Sequence, residues 1–314
     1  MTMQQTSPDN HENMGKSPVA IVIVNYNAGA FLAKCVATIM QTADSVVIVD
    51  NASTDTSLLA LAGRFQNEPR LNVIHNSSNL GFSAGCNIGL DATDTPYVLF
   101  LNPDCQLEKQ SLTCMLQILE SDPQIGMVGG YLVNPDGTEQ GGGRRKIPTP
   151  WRAFVRATGL HHLSKFWPGL FPDFHLHRQP LPDQPVEVEA ISGAAMLVRR
   201  HAIQEVGQWD ENYFLHCEDL DWCMRFRQHG WKIMFVPDAK IVHYQGACSK
   251  SRPFFVAWHK HKGMVYFYKK FFRQQYPGIL MNLVAVGVWL RFSITVLYSA
   301  LYYFAKFLRP KHET

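Results

Sequence analysis

Three apolar, β-branched runs, each closed by a short polar loop, constrain this chain more than any other feature. Val19-Ala-Ile-Val-Ile-Val24 ends in Asn25-Tyr26-Asn27, Ser45-Val-Val-Ile-Val49 in Asp50-Asn-Ala-Ser-Thr-Asp55, and Tyr97-Val-Leu-Phe-Leu101 in Asn102-Pro103-Asp104. Runs without apolar–polar alternation belong to strands buried on both faces. Between them lie helical patterns over 31–41, 58–65 and 83–91, the last entered through Asn79-Leu-Gly81, and a short strand at 71–75. Alternating β and α elements imply an α/β, doubly wound, Rossmann-like sheet, parallel over its first hundred residues. Ligands of such sheets sit at the carboxyl ends of the strands, so the three polar loops are expected to face one crevice.

Downstream the texture changes. Residues 134–187 hold Gly141-Gly142-Gly143, then Arg144, Arg145 and Lys146, then many Pro, His and aromatic residues. This is read as a loop-rich insertion, a candidate flap near an acceptor. Order returns over 188–199, an apolar run broken by Ser192-Gly193, and strands are expected at 232–236 and 239–242 with His243 following.

The chain has 314 residues, 46% apolar, which is a globular composition with room for a large core. Net charge is only +3 and no basic arm is present, so nucleic-acid binding is not expected. Seven scattered cysteines without a CxxC pair read as free thiols of a reducing compartment. Residues 1–17 are polar, and are expected to be a disordered tail and not a signal peptide.

Three constellations carry possible chemistry. Asn102-Pro103-Asp104 reads as a turn, or as a turn that offers one carboxylate to a hard cation. His216-Cys-Glu-Asp-Leu-Asp-Trp222 crowds three carboxylates into four residues. A helix N-terminus stabilises such a cluster through its dipole, and the same place suits a general base for a sugar hydroxyl. His243, beside an apolar strand, is a packed residue or a ligand.

Together the segments Ile21–Asn27, Val47–Asp55, Asn79–Asn87, Phe100–Asp104, Ile191–Leu197 and Phe214–Asp221 resemble family 2 glycosyltransferases of the GT-A fold. They occur in the family's order over residues 18–250 and look most like bacterial rhamnosyltransferases of O-antigen or cell-wall polysaccharide assembly. The resemblance implies a mixed sheet and an inverting sugar transfer from a nucleotide-diphosphate donor, dTDP-L-rhamnose, to a polyprenyl-diphosphate-linked sugar. It implies that Asn25, Tyr26, Asn27, Asp50, Asn79, Gly81, Asn87 and Asn102 serve the nucleotide sugar, with Asp55 helping or only capping a helix. It implies that Asp104 and His243 hold Mg2+ or Mn2+, and that Asp219 is the base with Glu218 and Asp221 supporting it. Many relatives carry two or three acidic residues in the metal motif, whereas positions 102 and 103 here are Asn and Pro. A nucleotidyltransferase would show a basic, Gly-rich loop after the first strand, and Asn25–Gly29 has no Lys or Arg. A non-catalytic sugar-nucleotide-binding protein would have no use for Asp104, Asp219 and His243 together.

Residues 251–314 form a basic and apolar helical region. Lys260, Lys262, Lys269, Lys270 and Arg273 precede an apolar stretch, Ile279–Leu290 and Phe292–Ala305, interrupted by Arg291 and followed by Lys306, Arg309 and Lys311. Cations at both ends give a single span no orientation. Helices lying in the cytoplasmic leaflet of a bacterial inner membrane are the first reading, a spanning helix the second, and a homodimer interface the third.

Overall fold

The computed structural model describes residues 19–167, 169–171, 176–247 and 252–308. The tail 1–17 lies outside them, as do Cys248, Arg309 and Lys311. In chain order the elements are β1 (Val19–Asn25), α1 (Ala30–Ile39), β2 (Ser45–Asp50), α2 (Ser57–Phe65), β3 (Leu71–His75), α3 (Phe82–Asp91) and β4 (Tyr97–Leu101). Then come β5 (Cys105–Leu107), α4 (Ser111–Ser121), β6 (Ile125–Val133), β7 (Arg144–Arg145), α5 (Pro150–Ala157), β8 (Val186–Glu187), β9 (Ala190–Ile191), β10 (Ala195–Arg199) and α6 (Arg200–Val206). The remaining elements are α7 (Glu218–Gln228), β11 (Lys232–His243), α8 (Pro253–Phe272) and α9 (Gly278–Leu308).

The main sheet runs β3-β2-β1-β4-β10-β6-β11-β5, with β8 also on β11. β3, β2, β1 and β4 are parallel, as the alternation of elements requires, and β6 pairs parallel with β11. β10 is inserted antiparallel between β4 and β6, and β5 lies antiparallel on β11. The sheet is therefore mixed. The two strands expected at 232–236 and 239–242 are one, because β11 continues along β6 through a register shift between Val236 and Lys240. His243 is its last residue and not a residue beyond it. Within 134–187 the described residues form short elements, of which β7 pairs with β9.

Successive side chains of β1 explain its unbroken apolar run. Ile21 and Ile23 pack with Leu32, Val36 and Ile39 of α1 on one face. Val22 and Val24 pack on the other with Cys86 and Leu90 of α3, in a core that takes in Trp222 and Phe226 of α7 and Phe267 and Tyr268 of α8. Each such burial contributes roughly 1.5–3 kcal/mol relative to exposure. Arg291, which interrupts the apolar sequence, does not interrupt the helix: α9 is continuous over 278–308. Cys86, Cys114, Cys217 and Cys223 stand outside any disulfide.

Candidate active site

Because β1, β2 and β4 are parallel, their polar ends gather on one edge of the sheet. Asn25 is fully buried, and its Nδ2 donates to Asp50 Oδ1 at 2.7 Å and to the hydroxyls of Ser53 and Ser57 at 3.0 Å. Asp50 Oδ2 accepts from Ser53 N at 3.0 Å. Asn27, in the left-handed region at φ 53°, accepts with Oδ1 from Thr54 N at 2.8 Å and Asp55 N at 3.2 Å. These side chains stitch the β1 and β2 loops into one wall of the crevice. Asp55 accepts from Gly29 N at 2.7 Å and Ser57 N at 3.0 Å, so it ties the start of α2 to the β1 loop. Burial opposes its charge, but bonds from Ser57 and Gly29 outweigh it and hold its carboxyl below the usual range. Tyr26 is half-buried, with the Arg252 guanidinium 5.6 Å from its ring centre.

Asn79 Oδ1 accepts from Gly81 N at 3.0 Å, and Gly81 has φ 93°. A Cβ there would stand 2.7 Å from Phe214 O, so only glycine lets the start of α3 meet the 214 segment. Asn87 does not point at the crevice. Its Nδ2 donates to Trp209 O at 3.0 Å and Glu211 Oε1 at 2.8 Å, while its Oδ1 accepts from Trp209 N at 3.0 Å.

Asp104 and His243 meet. Register pairing of β5 with β11 sets Cys105 opposite His243, and His243 Nε2 lies 3.2 Å from Asp104 Oδ1, both side chains buried. Asp104, Cys105 and His243 hold their ligating atoms within 4.8 Å of one another, though the Cys105 thiol is 3.5 Å from Ala194 O. On the far side of the ring, His243 Nδ1 is 2.6 Å from Gln140 Oε1. The orientation of that amide follows from its nitrogen, which donates to Asn134 Oδ1 at 3.1 Å and His243 O at 3.2 Å. Nδ1 therefore carries the proton that Gln140 accepts, and Nε2 faces Asp104.

Asp219 is linked to the Asn102–Asp104 turn by two successive residues. Ala194 O accepts from Asn102 N at 2.8 Å, and Gly193 N donates to Asp219 Oδ2 at 3.1 Å. Adjacent Cα atoms are ~3.8 Å apart, so Gly193-Ala194 bridges the Asn102–Asp104 turn and the acidic cluster. The Ser192-Gly193 break in the apolar run is this bridge. The anchor of α7 is Trp222, fully buried against Phe100 of β4 at 5.4 Å and Trp209 at 4.1 Å between ring centres. Its N-terminus is forced by His216 and Cys217, consecutive left-handed residues at φ 68° and 71°. Such conformations cost roughly 1–3 kcal/mol each and persist only where packing imposes them. Here α8 imposes them: Gly263 sits against His216 O, and the Cys217 thiol is 3.8 Å from Lys260 O.

The three carboxylates have separate fates. Asp219 is ion-paired with Arg145 of β7. Glu218 is buried with Oε2 unpartnered, and burial together with the neighbouring Asp219 charge pushes it up to about 8. Asp221 faces away, its carboxylate 2.7 Å from Arg225 Nε and 2.6 Å from Lys270 Nζ, so it anchors α8 to α7 and does not adjoin Asp219's carboxylate. Burial drives His216 down to about 4, with Lys260 adding to the shift. Two residues that the sequence reading assigned no role, Gln140 and Arg145, contact the candidate site directly. Arg145 left a trace, a cation beside three glycines with no carboxylate at helical spacing, whereas Gln140 left none.

The family model described as Glycosyl transferase family 2 matches residues 20–206, and that of Glycosyl transferase family group 2 matches residues 173–309. The chain is 29% identical over 239 residues to the N-acetylglucosaminyl-diphospho-decaprenol L-rhamnosyltransferase of Mycobacterium tuberculosis, covering 72% of this chain and 75% of that protein. It is 26% identical over 179 residues to the rhamnosyltransferase WbbL of Escherichia coli K12, covering 53% and 59% respectively. Among solved structures, the mannosyltransferase PcManGT of Pyrobaculum calidifontis, in complex with GDP-Man and Mn2+, matches with a TM-score of 0.56 at 14% identity, over 92% of this chain and 74% of that one. GalNAc-T7 with UDP, GalNAc and Mn2+ matches with a TM-score of 0.54 at 15% identity, over 78% of this chain and 51% of that one, about half its length. The structural likeness identifies the GT-A fold. With the family 2 model matched over residues 20–206 of 314, the chain belongs to glycosyl transferase family 2 and is a glycosyltransferase.

Proposed function

We propose that this glycosyltransferase moves L-rhamnose from dTDP-L-rhamnose onto a lipid-linked sugar, with inversion at the anomeric carbon, at the cytoplasmic face of a bacterial inner membrane. The observation that carries the reading is the Gly193-Ala194 peptide, which sets Asp219 beside the turn bearing Asp104 and its partner His243. Asp219 accepts the proton of the acceptor hydroxyl, whose oxygen attacks the anomeric carbon opposite the nucleotide diphosphate. The new C–O bond forms as the bond to the diphosphate breaks, so configuration inverts. Arg145, ion-paired with Asp219, holds its carboxylate in place until the acceptor arrives.

Asp104 and His243 would hold a divalent cation, Mg2+ or Mn2+. The fit rests on a buried imidazole nitrogen and a carboxylate oxygen 3.2 Å apart, with the Cys105 thiol within 4.8 Å of both, a donor set suited to a cation. When bound, the cation neutralises charge on the donor diphosphate. Two solved neighbours carry Mn2+ with nucleotides or nucleotide sugars, which supports this reading. Asn25, Asn27, Asp50 and Asn79 shape the donor side by holding its loops, and Tyr26, Asn27, Asn79 and Asn102 are partly exposed there.

The rhamnosyl donor and the lipid diphosphate acceptor are supported by the names of the M. tuberculosis and E. coli relatives. Membrane attachment is supported by α9. Ile279, Leu283, Val286, Leu290, Ile294, Leu297 and Leu301 recur at helical spacing on one face, each more than half exposed. The stretch Gly278–Leu301 is long and apolar enough to cross a bilayer, yet Trp289 and Phe292 lie against Trp258 of α8, with ring centres 5.1 and 5.8 Å away. A perpendicular crossing would draw α8 and the core it shares with Trp222 into hydrocarbon. A helix lying in the leaflet with its stripe downward avoids that cost, and is preferred to a span or a homodimer face.

The test is nucleotide diphosphate release by the full-length chain, with extracted carrier lipid, Mn2+ or Mg2+ and a panel of donors. We expect dTDP from dTDP-rhamnose only when lipid is present, and release from none of the donors would sink the proposal. Asp219→Asn should lower turnover by about 10²–10⁴-fold and leave donor affinity intact. Loss of both would assign Asp219 a structural role.

A further inference from the structure

A cleft of about 350 Å³ opens between α8 and α9, lined by Pro253, Val256, Ala257, Lys260, His261, Met264, Arg291 and Thr295. Two cations face it, and none of its lining residues is acidic. Lys260 and Arg291 both keep exposed surface at the mouth of the cleft, and among the described residues neither makes an ion pair or a side-chain hydrogen bond. Desolvation between the helices holds the Lys260 ammonium below the usual lysine range, and the charge of Arg291 adds to the shift. Burial likewise lowers His261, with Lys260 and Arg291 contributing. Arg291 sits in the middle of an apolar stretch of 24 residues, where a cation is expensive unless it serves an anion. An isolated cation cleft of this kind is a site for something negatively charged.

Its position narrows the ligand. Lys260 is the residue at which α8 crosses the N-terminus of α7, where its carbonyl receives the Cys217 thiol. Asp219 is two residues further on, and its charge and that of Lys260 sense each other. On the other side, Arg291 adjoins Leu290 and Ile294 of the exposed apolar stripe. One end of the cleft therefore lies at Lys260, whose carbonyl meets the residue two before the candidate base, and the other meets the surface assigned to the bilayer. We propose that the cleft binds the diphosphate of the lipid-linked acceptor, with Lys260 and Arg291 as its ligands and the α9 stripe carrying the polyisoprenoid chain into the membrane. This rests on the reading of the acceptor as a lipid diphosphate. It assigns Arg291 a purpose that a membrane anchor alone does not give it: fixing the acceptor head so that the sugar it bears faces Asp219.

The experiment uses the full-length chain in neutral detergent, with geranylgeranyl diphosphate as probe and the fluorescence of Trp258 and Trp289, whose rings meet where α8 packs on α9, as readout. Lys260→Gln and Arg291→Gln should each weaken binding of the probe by about 10-fold or more, since a charge-assisted contact is lost. Arg291→Lys should recover part of it. Geranylgeranyl monophosphate should bind more weakly, and phosphatidylglycerol in micelles should not displace the probe. Equal probe affinity in wild type and both Gln variants would overturn the assignment, and displacement by phosphatidylglycerol at equal concentration would convert the cleft into a general lipid site and overturn it too. dTDP-rhamnose binding, measured on the same samples, should be unchanged in the variants and certifies that they are folded. Its absence from wild type would count against the donor reading and not against the cleft.

Discussion

Gln140 touches no expected substrate, yet it decides what His243 can do. Its Oε1 accepts the Nδ1 proton, and its nitrogen is held by Asn134 and by His243 O, so the ring can neither flip nor exchange its tautomer freely. Replacing such a partner weakens metal affinity by about 10–100-fold. Gln140→Leu should raise the Mn2+ concentration needed for half-maximal turnover by that factor, with turnover restored at saturating metal. Glu218 carries a pH signature. It is raised from an ordinary 4.5 to about 8 by burial and by Asp219. A raised carboxyl binds its proton more tightly folded than unfolded, so its contribution is fully present below about pH 4.5 and fades as pH rises through 8. Melting temperature followed from pH 5 to 8.5 should fall more in wild type than in Glu218→Gln. At this scale the sequence singled out Asp104, His243 and Asp219 because metal and base chemistry restrict residue type, and the structure brings the first two into contact. Asn87 and Asp221 were not, because an amide or carboxylate in a motif looks alike whether it meets a ligand or, as here, Trp209 and Lys270.

Helix α8 acts as the clamp on the start of α7. Gly263 lets it close on His216, and Asp210 and Asp221 both receive Lys270 at 2.6 Å. A Cβ on residue 263 would lie 2.8 Å from His216 O. Gly→Ala inside a helix gains up to about 1 kcal/mol in propensity, but overpacking of this kind costs about 1–3 kcal/mol. Gly263→Ala should therefore lower stability in denaturant titration and reduce turnover by displacing Asp219, and an unchanged midpoint would remove the clamp from the account. The strands β1, β2 and β4 stood out in sequence because burial on both faces requires uninterrupted apolar residues. The continuity of β11 across Pro237 and the antiparallel insertion of β10 did not, because pairing partners and direction are set by where the chain returns and not by local composition.

For the whole molecule, the stripe of α9 is a run of seven exposed apolar side chains among the described residues, and such surfaces mark membranes or partners. Leu290→Glu with Leu297→Glu should abolish flotation with vesicles containing anionic lipid while leaving dTDP-rhamnose binding intact. Carbonate should strip the wild-type chain from membranes, and retention in the pellet would favour the spanning helix. By itself the sequence determined the doubly wound sheet, the edge on which its loops gather and the residue types suited to sugar transfer, because periodicity and side-chain chemistry are local properties. Only the tertiary structure decided that Gly193-Ala194 joins the acidic cluster to the Asp104 turn, that Arg145 and Gln140 complete the site, and that Arg291 meets Lys260 across a cleft. Those contacts join residues far apart in the chain, and their geometry comes from the packing of separate elements, which no single stretch encodes.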